Sequence, residues 1–86
     1  MRELEIGKVY RHFKGNYYLI VDIAIHSETR EEYVVYKSLY ESSKTYIRPL
    51  EMFLDKIDIN KTGNTTGQEY RFELDNSLSK DYTAKQ

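Results

Sequence analysis

The chain has 86 residues, a net charge of −1 and 31% charged residues. It contains no cysteine, which excludes disulfide bonds, thiolate catalysis and cysteine-ligated metal sites. A chain this short forms one domain with a small core, and its charge balance gives no overall field that would favour nucleic acid or an anionic membrane. No apolar run is long enough for a membrane span, and residues 1–10 lack a signal-peptide stretch, so the cytoplasm is the expected location.

The first half of the chain predicts two paired strands. Residues 8–12 form the first, and Gly15 and Asn16 tolerate the positive φ angles of a tight hairpin. The apolar run YYLIVDIAI at residues 17–25 predicts the central strand, because aromatic and β-branched residues dominate it. Alternation divides this run between two faces, of which the more apolar one carries Tyr17, Leu19, Val21, Ile23 and Ile25.

Two further strands and a helical turn follow. The polar residues 27–30 predict a hairpin into a third strand at residues 31–40. A fourth strand at residues 45–48 ends at Pro49, the only proline. After it, Leu50, Phe53 and Leu54 have the spacing of one helical turn laid on a core. In the third strand, one face carries Val34, Tyr36, Ser38 and Tyr40.

The last third of the chain predicts shorter elements. Residues 56–59 indicate a short fifth strand, the polar sequence NKTGNTTG at residues 60–67 a mobile loop, and residues 70–74 a half-buried edge strand. We expect one domain over residues 1–75 and a polar, disordered tail over residues 76–86. Five or six short strands with one helical turn predict a small all-β roll or barrel, because curling the sheet protects its edges.

Five sequence blocks resemble the DUF1653 family of uncharacterised bacterial proteins. They are YRHFKG at residues 10–15, HSET at 26–29, VVY at 34–36, LY at 39–40 and RPLEMF at 48–53. The resemblance implies an SH3-like β-roll and implies no activity. This chain has Tyr46 where similar proteins often have tryptophan, and its segment from Asn60 onward is longer and more polar than the resemblance leads us to expect.

The two histidines offer limited chemistry. Strand spacing places His12 and His26 on the order of 25 Å apart, so we expect no shared metal site and no metal ligands. His26 begins the turn HSET, which brings an imidazole, two hydroxyls and a carboxylate together. This turn is open to two interpretations: general acid–base chemistry with His26 as base, or a structural turn in which His26 caps and the hydroxyls bond backbone amides.

Arg48 and the first hairpin are the other polar candidates. Arg48 either forms a salt bridge with Glu51 or Glu28 that fixes the helical turn, or recognises an anion. In the first hairpin, basic residues alternate with aromatic ones, a pattern that could stack bases and contact phosphates. The neighbouring Glu28, Glu31 and Glu32 weaken the positive field, which favours a solvated hairpin instead. The basic residues of this hairpin are Lys8, Arg11, His12 and Lys14.

These observations favour a non-enzymatic binding or adaptor module that uses aromatic and arginine side chains and needs no cofactor. Its partner would be a peptide, a nucleic acid or a small anion. The alternatives are a small enzyme or accessory subunit with a histidine base, and a structural subunit whose 70–74 edge adds to another sheet. The candidate binding residues are Tyr10, Arg11, His12, His26, Tyr36, Arg48 and Glu51.

Overall fold

The computed structural model describes residues 2–40 and 44–79 of the chain. These contain the strands β1 (Val9–His12), β2 (Tyr17–Ile25), β3 (Glu32–Ser38), β4 (Thr45–Pro49) and β5 (Phe72–Leu74) and the helical turn α1 (Leu50–Phe53). All strands belong to one antiparallel sheet in the spatial order β4-β3-β2-β1-β5. The four predicted strands of the first half and the helical turn after them are therefore confirmed.

The sheet is open rather than closed into the predicted barrel. β4 and β5 are its two edges and do not pair with each other. The helical turn α1 and β5 instead supply Phe53 and Phe72, which cover the concave face of the sheet. The predicted strand at residues 56–59 is also absent, because this segment makes only an isolated bridge between Lys56 and Tyr70.

A β-bulge in β2 changes which of its side chains are buried. The pairing with β3 shifts register between Ile20 and Asp22, so Val21 has no partner of its own. Ile20 is fully buried, whereas Val21 and Ile25 are exposed. The sequence prediction of one uninterrupted apolar face from Tyr17 to Ile25 is therefore wrong, since the extra residue exchanges the two faces halfway along the strand.

The core lies on the concave face and is largely aromatic. Phe53 and Phe72 stack with ring centroids 3.9 Å apart and an interplanar angle of 8°. Tyr10 and Tyr36 pack their edges against Phe53 at 5.8 and 5.2 Å. Ring pairs of this kind add to the free energy of burying their surface. The buried cluster consists of Tyr10, Ile20, Val34, Tyr36, Phe53 and Phe72.

The polar loop at residues 60–67 is organised by one side chain. The Asn64 amide donates to the carbonyls of Ile59 and Gln68 at 3.3 and 3.0 Å. Its carbonyl oxygen accepts from the backbone N–H groups of Gly67 and Gln68 at 3.0 and 3.2 Å. The composition of this segment predicts a loose connection, but Asn64 uses both halves of its amide to tie the two ends of the loop together.

The packed chain extends beyond the predicted domain end at residue 75. Residues 76–79 form a helical turn, and Asp75 caps it by accepting from the Leu78 N–H at 2.9 Å. Ser79 is only 2% exposed. Its hydroxyl accepts from the Val9 N–H at 2.7 Å and donates to the Val9 carbonyl at 3.1 Å. The first residues of the predicted tail thus cover β1, and residues 80–86 lie outside the described part of the chain.

We expect Ser79→Ala to lower the free energy of unfolding by about 1–3 kcal/mol, because it leaves the buried N–H of Val9 without an acceptor. Urea denaturation measures this loss. Ser77→Ala is the matched control, since Ser77 lies in the same turn and is exposed. Equal midpoints for the two variants would show that the Ser79 hydroxyl does not hold the terminal turn on β1.

Candidate functional site

One end of the core-bearing face of the sheet carries a group of side chains that we call the aromatic mouth. The strand register places them on one face, with Tyr36 opposite Tyr46 and His12 opposite Phe72. Members come from all five strands and from the segment that follows β3. The aromatic mouth consists of His12, Tyr18, Tyr36, Tyr40, Tyr46, Arg48 and Phe72.

Tyr18 is the central ring of the aromatic mouth. Each of its ring neighbours meets it near a right angle, the edge-to-face arrangement that aromatic pairs prefer. The centroid distances are 5.3 Å to Tyr36, 5.8 Å to Phe72, 5.9 Å to Tyr40, and 6.3 Å to both His12 and Tyr46. Tyr46 is 40% exposed, whereas Tyr36 is only 4% exposed. Tyr46 therefore presents a ring to solvent, and Tyr36 belongs to the core beneath it.

Arg48 places a cation against these rings. Its Nε donates to the Tyr36 hydroxyl at 3.2 Å, and its Cζ lies 5.5 Å from the ring centroid of Phe72. Within residues 2–40 and 44–79, no carboxylate forms an ion pair with Arg48. The salt bridge to Glu51 or Glu28 considered from the sequence is therefore not formed, because Arg48 extends over the concave face and Glu51 is exposed on α1.

His12 is a neutral side chain in this setting. Its Nδ1 accepts from the Lys14 N–H at 3.1 Å, which assigns the proton to Nε2 and makes that atom a donor. The pKa of His12 is lowered to about 4, first by burial of the ring and then by the positive charges of Arg48, Arg71 and Lys14. All three are cations, and Arg71 also forms an ion pair with Asp55 at 2.9 Å.

The tyrosine hydroxyls complete the polar surface of the aromatic mouth. The Tyr18 and Tyr40 oxygens are 3.0 Å apart in a hydrogen bond, and the Asn16 amide donates to Tyr40 at 3.3 Å. Burial raises the pKa of Tyr18, and the hydrogen bond with Tyr40 raises it further, so this hydroxyl stays protonated at neutral pH. The aromatic mouth thus offers ring faces, neutral donors and one guanidinium, which suit a flat ligand with acceptor or anionic groups.

The other predicted site residues lie elsewhere. Tyr10 is buried, and its hydroxyl accepts from the Glu5 N–H at 3.0 Å, so it is a core residue. Arg11 is on the opposite face of β1, where its Cζ is 5.7 Å from the Tyr17 ring centroid. Glu51 lines a separate groove on the other side of α1.

His26 lies at the end of β2 remote from His12. Its Nδ1 accepts from the backbone N–H groups of Glu28 and Thr29, both at 3.2 Å. The Thr29 hydroxyl accepts from the Glu31 N–H at 3.2 Å. These bonds match the structural interpretation of the HSET turn, in which the imidazole caps the turn. In the described residues, no group of three histidine, aspartate or glutamate side chains could hold a metal ion.

The candidate binding residues named from the sequence include His12, Tyr36 and Arg48 of the aromatic mouth but not Tyr18, Tyr40, Tyr46 or Phe72. Alternation along the strands could have indicated two of these residues. Tyr18 lies on the same face of β2 as Ile20, and Tyr46 lies opposite Tyr36. The bulge in β2 concealed this signal, since the more apolar half of the alternation indicated the other face of the strand.

Because the pKa of His12 is lowered in the folded protein, we expect the protein to lose stability in mild acid. Above its ordinary pKa of 6.5 the ring is neutral in both folded and unfolded chains, so the full stability is present. As the pH falls from 6.5 to about 4, the unfolded chain gains a proton that the folded chain does not, and the free energy of unfolding decreases. Solvent screening of the half-buried ring limits the loss to about 1–2 kcal/mol.

Urea denaturation at about pH 7 and about pH 4.5 measures this effect as a difference between variants. His12→Gln removes the titrating ring, so its stability falls less on acidification than that of the parent. His26→Gln is the control, because His26 is exposed and its variant keeps the His12 ring. The same acid dependence in parent and His12→Gln would contradict the assignment.

No helix among the described residues is long and apolar enough to cross a membrane.

Comparison with known proteins identifies the family to which this chain belongs. The profile of DUF1653, described as a protein of unknown function, matches residues 8–74. A crystal structure of a DUF1653 protein from Bordetella bronchiseptica has 32% sequence identity and a TM-score of 0.67, over 85% of this chain and 88% of that chain. No curated protein matches. The resemblance carried by the five sequence blocks is confirmed, and the chain belongs to the DUF1653 family.

Proposed function

We propose that this protein is a non-enzymatic binding module whose aromatic mouth holds a flat ring carrying an anionic group, as a nucleotide unit does. The observation that carries the proposal is Arg48, a half-buried guanidinium held between the Tyr36 hydroxyl and the Phe72 ring, for which the described residues supply no carboxylate partner. A guanidinium in this position has donors left for a phosphate or carboxylate, which it can bind with two parallel hydrogen bonds.

The surroundings of Arg48 support the same ligand class. Tyr46 offers an exposed ring face beside it, and stacking of a base on such a ring contributes about 1–3 kcal/mol. Arg48 and Lys14 are cations whose charges act on His12, which favours an anion over a cation. Of the basic first hairpin, His12 belongs to the aromatic mouth, whereas Arg11 lies on the opposite face of β1, so the aromatic and basic pattern supports this proposal only through His12.

The enzymatic alternative has less support. A general base needs a free lone pair near its substrate, and the Nδ1 lone pair of His26 already accepts two backbone hydrogen bonds. The lowered pKa of His12 makes that ring a weak base. We therefore propose binding without catalysis.

Chemical-shift mapping of labelled protein tests the proposal. The probes are a short single-stranded oligonucleotide, adenosine monophosphate and inorganic phosphate, added separately. We expect the first two to shift the amides of His12, Tyr18, Tyr46 and Arg48, and phosphate alone to give the same pattern weakly, because it lacks a ring. Saturable binding of adenosine monophosphate would identify a site for a small molecule. Tighter binding of the oligonucleotide than of the mononucleotide would identify single-stranded nucleic acid as the ligand. No localised shift with any probe would overturn the proposal.

Tyr46→Ala should weaken binding about fivefold or more, because it removes a stacking surface worth about 1–3 kcal/mol. Its stability should change little, since the ring is 40% exposed. Ile47→Ala is the matched control, because Ile47 is adjacent on β4, points to the other face and is 64% exposed. Tyr36 does not serve this purpose, because it is buried and its removal damages the core. Equal affinities of the two variants would show that Tyr46 does not contact the ligand.

A further inference from the structure

A second concavity lies between the β2–β3 turn and α1, and we call it the hairpin groove. Its volume is about 610 Å³, within the range of pockets that hold drug-sized ligands. Phe53 of α1 is part of the buried core, and Leu50 and Leu54 pack against that core and also line the hairpin groove. The lining residues are Arg2, Arg30, Glu31, Glu32, Leu50, Glu51, Leu54, Lys56 and Tyr70.

The floor of the hairpin groove is apolar and fixed. Leu50 and Leu54 supply aliphatic surface, and Tyr70 supplies a ring. The Arg2 guanidinium lies 4.0 Å from the Tyr70 ring centroid and donates to the carbonyls of Leu54 and Phe72 at 2.9 and 2.7 Å. Arg2 is therefore a structural part of the wall, because its guanidinium already bonds two backbone carbonyls.

The rim of the hairpin groove carries charges of both signs that do not pair with one another. No ion pair joins any two of the six charged lining residues, all of which the structure describes. Glu31 accepts a hydrogen bond from the Tyr33 hydroxyl at 3.0 Å. Lys56 Nζ lies 5.9 Å from the Tyr70 ring centroid. Besides Arg2 and Glu31, the charged lining residues are two cations, Arg30 and Lys56, and two carboxylates, Glu32 and Glu51.

Arg30 is held at this rim by a strained backbone. Its φ angle is 66°, in the left-handed region that residues with a side chain rarely adopt. The Arg30 N–H donates to the His26 carbonyl at 2.8 Å and closes the hairpin turn. The turn therefore fixes the point from which the Arg30 side chain starts, so this cation reaches the hairpin groove from a defined position.

We infer that the hairpin groove binds a short peptide segment in which an apolar side chain is flanked by one acidic and one basic side chain. The apolar floor matches the central side chain, and the two cations and two carboxylates, which do not pair with one another, match the flanking charges. A ligand of one sign would meet like charge at half of the rim. A free amino acid would leave much of the volume unfilled. This site is independent of the aromatic mouth and does not rest on the proposed function.

Capped tripeptides test the inference in the full chain. The probes are acetyl-Lys-Leu-Glu-amide and acetyl-Glu-Leu-Lys-amide, with acetyl-Lys-Leu-Lys-amide, acetyl-Glu-Leu-Glu-amide and acetyl-Gln-Leu-Gln-amide as controls. We expect at least one mixed-charge peptide to shift the amides of Arg30, Leu50 and Leu54, with at least fivefold higher affinity than each control peptide. Free leucine, as a zwitterion without flanking side chains, should give no comparable shift.

Two variants locate the contact. Arg30→Asn removes the cation and keeps a residue that tolerates positive φ, and Glu51→Gln removes a carboxylate at an exposed position. Each should lower the affinity for the mixed-charge peptide at least fivefold. Glu28→Gln is the matched control in the same hairpin, because Glu28 does not line the hairpin groove. Equal binding of all five tripeptides, shifts confined to the aromatic mouth, or no shifts at all would each overturn the inference.

Discussion

Phe72→Ala should lower the free energy of unfolding by about 3–5 kcal/mol. Phe72 is fully buried and stacks on Phe53 at 3.9 Å, with Tyr18, Tyr36 and His12 also against its ring. Its removal opens a cavity between α1 and the sheet. Because domains of this size have only about 5–15 kcal/mol of stability, a large part of the total is lost.

Thermal unfolding measures this loss as a decrease in Tm of roughly 4–8 °C for each kcal/mol. Phe72→Leu keeps most of the apolar volume and should lose less than half as much. Met52→Ala is the control for a neighbouring truncation, because Met52 lies beside Phe53 in α1 and is exposed. A decrease for Phe72→Ala no greater than that for Met52→Ala would show that the Phe53–Phe72 stack does not hold β5 on the sheet.

The second large effect is expected for Asn64→Asp, at about 2–4 kcal/mol. The Asn64 amide nitrogen donates to the carbonyls of Ile59 and Gln68, and aspartate would place a charged oxygen against both. The acceptor half of the side chain, which bonds Gly67 and Gln68, would be kept. The decrease in the free energy of unfolding therefore measures two things: the lost hydrogen bonds of the Asn64 NH2 group and the repulsion between the new carboxylate and the two carbonyls.

The acid dependence of Asn64→Asp separates repulsion from a general loss of packing. The facing carbonyls disfavour the carboxylate, so the folded chain should hold the new proton more tightly than the unfolded chain. The variant then recovers stability, relative to the parent, as the pH falls through the carboxyl range. Asn60→Asp is the control in the same loop, because the Asn60 side chain is exposed. Urea midpoints that coincide for the two variants would contradict the role of Asn64.

The strands could be predicted from the sequence because each carries its own local signal. Alternation, turn residues and one proline locate β1 to β4 and α1, and these signals need no knowledge of what packs against them. The prediction fails where a distant partner decides the outcome. Residues 56–59 alternate as a strand does, yet only Lys56 bridges to Tyr70, so no ladder forms.

The candidate site was predictable only in part for the same reason. His12, Tyr36 and Arg48 carry their chemistry in their side chains, and the sequence indicates them directly. Which of them meet depends on register, and the bulge beside Val21 has no glycine to mark it. Asn64 illustrates the opposite error, because a polar composition predicts a loose loop whether or not one side chain bonds both of its ends.

The position of β5 in the sheet has a consequence for synthesis of the chain on the ribosome. β1 to β4 pair in sequence order, so they can form while the chain is still emerging, whereas β5 pairs with β1 from near the other end. Until Phe72 is made, the rings of Tyr18, Tyr36 and Phe53 lack their central neighbour. A nascent chain arrested before residue 72 would expose an apolar face next to an open strand edge, the combination that chaperones bind and that drives association.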